Sequence, residues 1–261
     1  MCADDWLRHA VLADGSVWIR NDEIFEMVVS PDGRHVTCAK LGEADDTSFE
    51  AALLNFAISI SLTLQGEEPL HATVVELSGQ AIGLLGASGA GKSTLAAALI
   101  AEGADLVTDD MLRLTFAGNE ALAHRGPYRL KLYGEPARRL LPAAAEHGYF
   151  AKSHGKILVQ PRPAVPAAAS LRPLRALFSL GSAADQPSAK VAARRLTGME
   201  LGKTLIASAM DIRNYAPQRL TRQLQFAEHV ARAVLVYALT YPRDYAMLGR
   251  VAEDIRRTVG V

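Results

Sequence analysis

An apolar run, Ala81-Ile82-Gly83-Leu84-Leu85, leads into Gly86-Ala87-Ser88-Gly89-Ala90-Gly91-Lys92-Ser93, and residues 93–102 that follow are patterned as a helix stopped by Gly103. Strand, glycine loop and helix in that order restrict this chain more than any other feature. Five apolar residues in a row read as a strand covered on both faces, which places it inside an α/β sheet. The loop fits the pattern G-x-x-x-x-G-K-S, whose glycines free consecutive N–H groups to point inward around a polyphosphate. The helix start adds its own unpaired N–H groups and the positive end of its dipole. On this pattern Gly86, Ala87, Ser88, Gly89, Ala90, Gly91, Lys92, Ser93 and Thr94 form the cradle for a nucleoside triphosphate. Lys92 is expected to reach the β and γ phosphates, and the Ser93 hydroxyl to hold a magnesium ion.

Magnesium–nucleotide chemistry calls for a second metal ligand, normally an acid at the end of a neighbouring strand. Leu106-Val107-Thr108-Asp109-Asp110 supplies two. Adjacent carboxylates at a strand end repel each other and titrate as a coupled unit, and a cation relieves that repulsion. The natural division of labour places Asp109 on the metal and Asp110 on an acceptor hydroxyl. A double Asp by itself more commonly caps a turn, here before Met111; the glycine loop beside it shifts the reading to function. His71 opens the strand preceding the loop strand. Its position in sequence is compatible with either end of the sheet.

The rest of the chain divides at about residue 66. Residues 1–66 carry short alternating runs, Ser16-Val17-Trp18-Ile19-Arg20 and Ile24-Phe25-Glu26-Met27-Val28-Val29, between turn clusters at Asp14-Gly15 and Pro31-Asp32-Gly33. They read as a small antiparallel sheet followed by a helix over 48–65. In residues 67–261, a strand over 71–77 turns at Ser78-Gly79-Gln80, and another strand over 105–108 follows the loop helix. From Arg125 to Ser188 the prolines Pro127, Pro136, Pro142, Pro161, Pro163, Pro166, Pro173 and Pro187 predict loops and short helices, with the character of a lid. Ala164–Ser170 is the one biased segment. The tail predicts a helix over 217–233, a strand over 234–239 and a helix from Asp244 towards Arg257, with Arg194-Arg195 and Arg256-Arg257 on solvated faces.

Composition removes several classes. The 261 residues hold 28 Lys plus Arg against 28 Asp plus Glu, a formal charge of zero that argues against a general nucleic-acid binder. Cys2 and Cys38 have no metal or disulfide spacing, as in a reduced cytoplasmic protein. The longest apolar stretch, 51–64, is too short and interrupted to read as a membrane span, and the start of the chain lacks the pattern of a signal peptide. Leu77-Ser78-Gly79-Gln80 resembles the signature loop of transporter ATPases but precedes the glycine loop, so it reads as a hairpin turn. No N-K-x-D guanine motif and none of the H-R-D and D-F-G elements of eukaryotic-type kinases occur.

The ordered set His71, loop 86–93 and Asp109-Asp110, with its spacing, resembles the catalytic domain of the bacterial HPr serine kinase/phosphorylase family. The resemblance is good over about residues 70–116, weak beyond, and absent from 1–65. It implies an α/β P-loop kinase core with a mixed sheet, like that of HPr kinase and PEP carboxykinase, behind the small N-terminal β-rich unit. It further implies ATP and Mg2+ as cofactors, Lys92 as the catalytic lysine, Asp110 as the acid taking the acceptor's proton, and His71 as the histidine beside it. Two departures stand out. Ala123-His124-Arg125-Gly126 lacks the acid of the family's acid-x-Arg-Gly segment, and Gly202-Lys203-Thr204-Leu205 has Lys203 in place of an arginine. The N-terminal sheet and Tyr241-Pro242-Arg243-Asp244 are more similar to compact relatives that accompany peptide-tailoring clusters and phosphorylate a serine of a lasso-type precursor peptide.

Three functions fit the residues. A kinase acting on a serine hydroxyl of a peptide or protein comes first, with no nucleic-acid or membrane partner and room for a homo-oligomer. A kinase for a small hydroxylated metabolite is the second. A nucleotide-binding sensor that transfers no phosphate is the third, favoured by the missing acid near Arg125.

Overall fold

A computed structural model describes residues 7–151, 155–161, 171–181, 190–210 and 217–260. Cys2 and the rest of the chain start, Pro163, Pro166, Pro187 and the 164–170 segment lie outside the described residues.

The N-terminal sheet is a meander of β1 (Arg8–Val11), β2 (Val17–Asn21), β3 (Phe25–Val29) and β4 (Val36–Lys40), each antiparallel to the next. Period-2 alternation buries Val17, Ile19, Phe25, Met27 and Val29 on one face. A helical stretch covers that face: α1 (Asp46–Ala52), a π turn (Leu53–Ala57) and α2 (Ile58–Leu64). Asp45 caps it, its carboxylate accepting from the Ser48 amide at 2.7 Å. The predicted helix over 48–65 thus begins two residues earlier. With that extension Asp46–Leu64 has 19 residues and contains an 18-residue window of mean hydropathy 1.4, long and apolar enough by those measures to cross a bilayer, contrary to the expectation from the 51–64 run. In this fold Ala52, Ala57 and Ile60 pack with Phe25 and Met27 instead.

The central sheet runs β15 (Ala192–Arg195), β16 (Leu235–Thr240), β14 (Leu171–Leu180), β6 (Gln80–Leu85), β5 (Leu70–Leu77) and β7 (Asp105–Thr108). Further strands extend it: β8 (Met111–Leu112) pairs with β5, and β10 (Glu120–His124) pairs with β14 and with β9 (Leu114–Ala117). The loop strand β6 lies parallel to β14 and antiparallel to β5. Ser78 and Gly79, at φ +50° and +81°, make the two-residue turn joining β5 to β6, so the hairpin reading holds. Residues of α3 (Lys92–Ala101) and α7 (Leu248–Val259) pack on one face; those of α5 (Gly198–Ala207) and α6 (Pro217–Ala233) pack on the other. Ala81, Ile82, Leu84 and Leu85 are accordingly all buried.

Residues 125–188 differ from expectation. The expected short helix is present as α4 (Gly134–Leu140), but in place of loops forming a lid the described part otherwise holds β11 (Leu130–Tyr133), β12 (Ala145–Ala151) and β13 (Lys156–Gln160), and then the central strand β14. Strands β11, β13 and β12 make a small antiparallel sheet. Pro173 is tolerated because it sits near the start of β14, beside a register shift between Leu174 and Ala176. The apolar run that follows it forms the strand. The tail agrees with expectation, apart from β16 running one residue later and the last helix opening as a 3-10 turn (Tyr245–Met247) capped by Asp244. Arg194 pairs with Glu200 on the surface, while Arg256 is held by Glu102.

Candidate active site

Strand directions assemble the site at one edge of the central sheet. Strands β6, β14, β16 and β7 all end there, and antiparallel β5 begins there. The order of β5 and β6 therefore puts His71 beside the glycine loop and the acid pair, deciding between the two ends left open by the sequence. This edge, outside the carboxyl ends of parallel strands, is where α/β sheets bind ligands.

The loop between β6 and α3 depends on glycine at two points. Gly86 has φ +142°, and a Cβ there would lie 2.9 Å from the Leu180 carbonyl and 3.0 Å from Ala90 Cβ. Gly91 caps α3 in the left-handed region at φ +88°. Ala87, Ser88 and Gly89 form the exposed crest, and Ala90 is buried beneath it. Ser93 and Thr94 stand in the first turn of α3. Arg243 braces the loop from behind, donating to the Ala90 carbonyl at 2.6 Å and the Gly181 carbonyl at 2.7 Å, over the ring of Tyr241.

Lys92 is buried, and its ammonium donates to the carbonyls of Gly86 (2.7 Å) and Ala87 (3.2 Å) and to His71 Nε2 (3.0 Å). Burial lowers its pKa, opposed by the two Asp charges. The His71 ring has the Asp110 carbonyl 3.0 Å from Nδ1. A carbonyl on one nitrogen and an ammonium on the other assign the proton to Nδ1 and leave Nε2 an acceptor. Burial and Lys92 both lower the His71 pKa, so the imidazole is neutral.

Asp109 and Asp110 diverge in environment. Asp109 Oδ1 accepts from Thr73 Oγ1 at 2.6 Å and lies 3.4 Å from Ser93 Oγ; Oδ2 accepts from the Lys131 amide at 2.7 Å. Burial, then the neighbouring Asp110 charge, raises its pKa to about 6. Asp110 forms an ion pair with Lys131. Burial pushes its pKa up, but Lys131, then His71 (charged at the low pH where Asp110 titrates) and Lys156 together outweigh that and hold it at about 2. Two like charges are thus separated into a carboxyl that resists ionisation and one that is firmly ionised. Asp110 also has φ +68°, a conformation that Asp tolerates better than most side chains.

The oxygens of Ser93 and Asp109 are a hard donor set. An octahedral magnesium with ligands at 2.0–2.1 Å separates adjacent oxygens by about 3.0 Å, close to their 3.4 Å spacing. Among the described residues no three His, Cys, Asp or Glu side chains converge as a complete metal site. Sequence reasoning missed Lys131 and left Lys156 without a role. Lys131 is buried on β11, its ammonium 3.6 Å from the centre of the Phe150 ring; Lys156 opens β13. Lys131 sits in a short alternating run, Leu130-Lys131-Leu132-Tyr133, and Lys156 opens the apolar run 157–159, both within the proline-rich span. Arg125 goes elsewhere: it binds Glu76, Asp105 and the Leu106 carbonyl at the opposite edge of the sheet. Lys203 is exposed on α5.

No family model matches the chain, and no curated protein does. Among solved structures it is similar to the Hpr(Ser) kinase/phosphatase from Coxiella burnetii, at 14% identity and a TM-score of 0.40, covering 73% of this chain and 95% of that one. That likeness is a distant one of fold.

Proposed function

We propose that this chain is an ATP- and magnesium-dependent kinase that transfers the γ-phosphoryl group to a serine hydroxyl of a peptide or protein, of which a ribosomally made lasso-type precursor peptide is the leading example. One observation carries the reading: a lysine at a glycine loop, a neutral histidine and two carboxylates of opposite pKa tendency meet at one sheet edge, with Lys92 and His71 3.0 Å apart.

The loop amides and the α3 N-terminus would receive the phosphate oxygens, with Lys92 leaving the Gly86 and Ala87 carbonyls to meet the β and γ groups. Ser93 and Asp109 would hold magnesium, which when bound offsets charge on the phosphoryl oxygens. Asp110 then orients the acceptor hydroxyl. As the serine oxygen bonds to the γ phosphorus, the bond from that phosphorus to the β–γ bridging oxygen breaks. The electron pair leaves with ADP, and the serine proton passes to Asp110. An acid held at about 2 is a weak base, which suffices for a loose transition state in which the hydroxyl loses its proton late. Neutral His71 fixes the Asp110 peptide through its carbonyl and keeps Lys92 charged by accepting from it.

The test is incubation with labelled ATP, magnesium and serine-containing peptides, read as a gain of phosphate mass. Asp110→Asn is expected to keep ATP affinity and lower transfer by ~10²-fold or more. An unchanged rate removes Asp110 from the chemistry. Phosphate appearing only on small hydroxylated metabolites would select that acceptor class, and tight ATP binding with no transfer to any acceptor would select a sensor.

A further inference from the structure

The helical stretch of the N-terminal unit is broken by the π turn Leu53–Ala57, flanked on both sides by regular α-helix. Inserted π turns are rare and gather at functional sites. This one is held firmly: Leu53 and Phe56 pack into the N-terminal core, with Phe56 5.3 Å from the Phe25 ring centre. The intervening residues, Leu54 and Asn55, face the other way. They line a cleft of about 20 Å3 whose far wall holds Asp110, Met111, Arg129 and Lys131. Glu50 on α1 lies 3.7 Å from Arg129 and ties the helix to that wall.

Asn55 is the unusual member. Its Oδ1 is shielded from water and has no hydrogen-bond partner among the described residues. A buried carboxamide oxygen ordinarily finds one. Unrestrained, the amide can make a half-turn that brings the oxygen to the cleft, since oxygen and nitrogen occupy equivalent positions on the planar group.

We propose that Asn55 and the π turn form the acceptor-recognition wall, and that the carboxamide pairs with the backbone amide of a serine residue whose hydroxyl points at Asp110. The proposal rests on the phosphoryl-transfer reading and narrows its acceptor to polypeptide. A volume near 20 Å3 is about the room one water or hydroxyl takes. It suits a hydroxymethyl group, with the cleft open to solvent for the rest of the acceptor. The carboxamide adds the discriminating element: a free alcohol or sugar offers hydroxyls but no N–H, whereas a peptide serine carries one within three bonds of its oxygen. Leu54 and Met111 give the flanking chain an apolar contact.

The experiment selects a good acceptor from a library of serine-containing peptides, and then compares it with the same peptide N-methylated at the serine. In the intact protein, losing that N–H is expected to raise KM for peptide about 10-fold, the size of one well-placed hydrogen bond, with KM for ATP unchanged. Asn55→Leu should raise the peptide KM similarly, leave KM for ATP unchanged, and suffer no further loss with the methylated peptide. Because it removes an unpaired buried oxygen, Asn55→Leu should also unfold at or above the wild-type temperature. Transfer with equal peptide KM in Asn55→Leu and wild type would overturn the proposal while leaving kinase activity intact. If no peptide is phosphorylated, binding of the same library by titration separates the two failures. Binding lost in Asn55→Leu keeps the recognition wall and sinks the transfer reading; no binding sinks both.

Discussion

The backbone at Asp110 permits a test in which the sign of a stability change is diagnostic. Asp110 sits at φ +68°, and its carbonyl is fixed by His71 Nδ1 at 3.0 Å and the Ala72 amide at 3.2 Å. Replacing it by Ala or by Gly removes the same carboxylate and the same ion pair with Lys131, so the two variants differ only in the backbone. Ala in the left-handed region costs about 1–2 kcal/mol. Gly adopts it freely but gives back about 0.4–1 kcal/mol through the entropy of its unfolded chain. The balance favours Asp110→Gly by about 0.5–1 kcal/mol. At an ordinary strand or helix position Gly would be the less stable by about the same amount. Urea unfolding of both variants under identical conditions measures the difference, and thermal melts should place the Gly variant about 1–4 °C higher, from about 2–4 °C per kcal/mol in a domain of this size. Both are expected to lose transfer activity. An Ala variant equal to or more stable than the Gly variant would show that the left-handed turn does not hold the acid pair in place.

Two further expectations follow from the site. Gly86→Ala, whose Cβ would press on the Leu180 carbonyl at 2.9 Å, should cost about 2–4 kcal/mol and weaken ATP binding; Gly89→Ala, with open space around its Cβ, should cost only about 1–2 kcal/mol for its backbone, and equal effects in urea melts would refute the loop packing. Lys131→Met should destabilise the protein by about 3 kcal/mol, at the low end for unpairing a buried ion because 18% of the Asp110 side chain stays exposed. It should also raise the Asp110 pKa from about 2, since Lys131 is the largest influence lowering it; carboxyl NMR titration with no upward movement would remove Lys131 from the pair.

The parts of this protein that could be read from sequence are those fixed within a few residues. Strand β6, its glycine loop and α3 follow from an apolar run, φ requirements at Gly86 and Gly91, and a helix start, all local. The Ser78-Gly79 turn and the Asp45 cap are similarly short-range in their hydrogen bonding, although the sequence pattern places the helix start two residues late. Strand β14 was obscured because eight prolines across 125–188 suggested breaks, yet Pro173 lies where a strand can accept one. Lys131 is a single charge in Leu130-Lys131-Leu132-Tyr133, and nothing local says whether it faces water or Asp110; pairing of β11 with β13, and Phe150 from β12, decide that.

Sequence alone determined the groups available: a glycine loop before a helix start, an ammonium, a hydroxyl and two acids, because each of these depends on residue type and near-neighbour geometry. The tertiary structure decided how they meet. Antiparallel β5 delivered His71 to the loop edge, Lys131 split the two Asp pKa values, and the π turn brought Asn55 to the cleft. Those outcomes depend on strand order and on contacts between residues far apart in the chain, which no local pattern encodes.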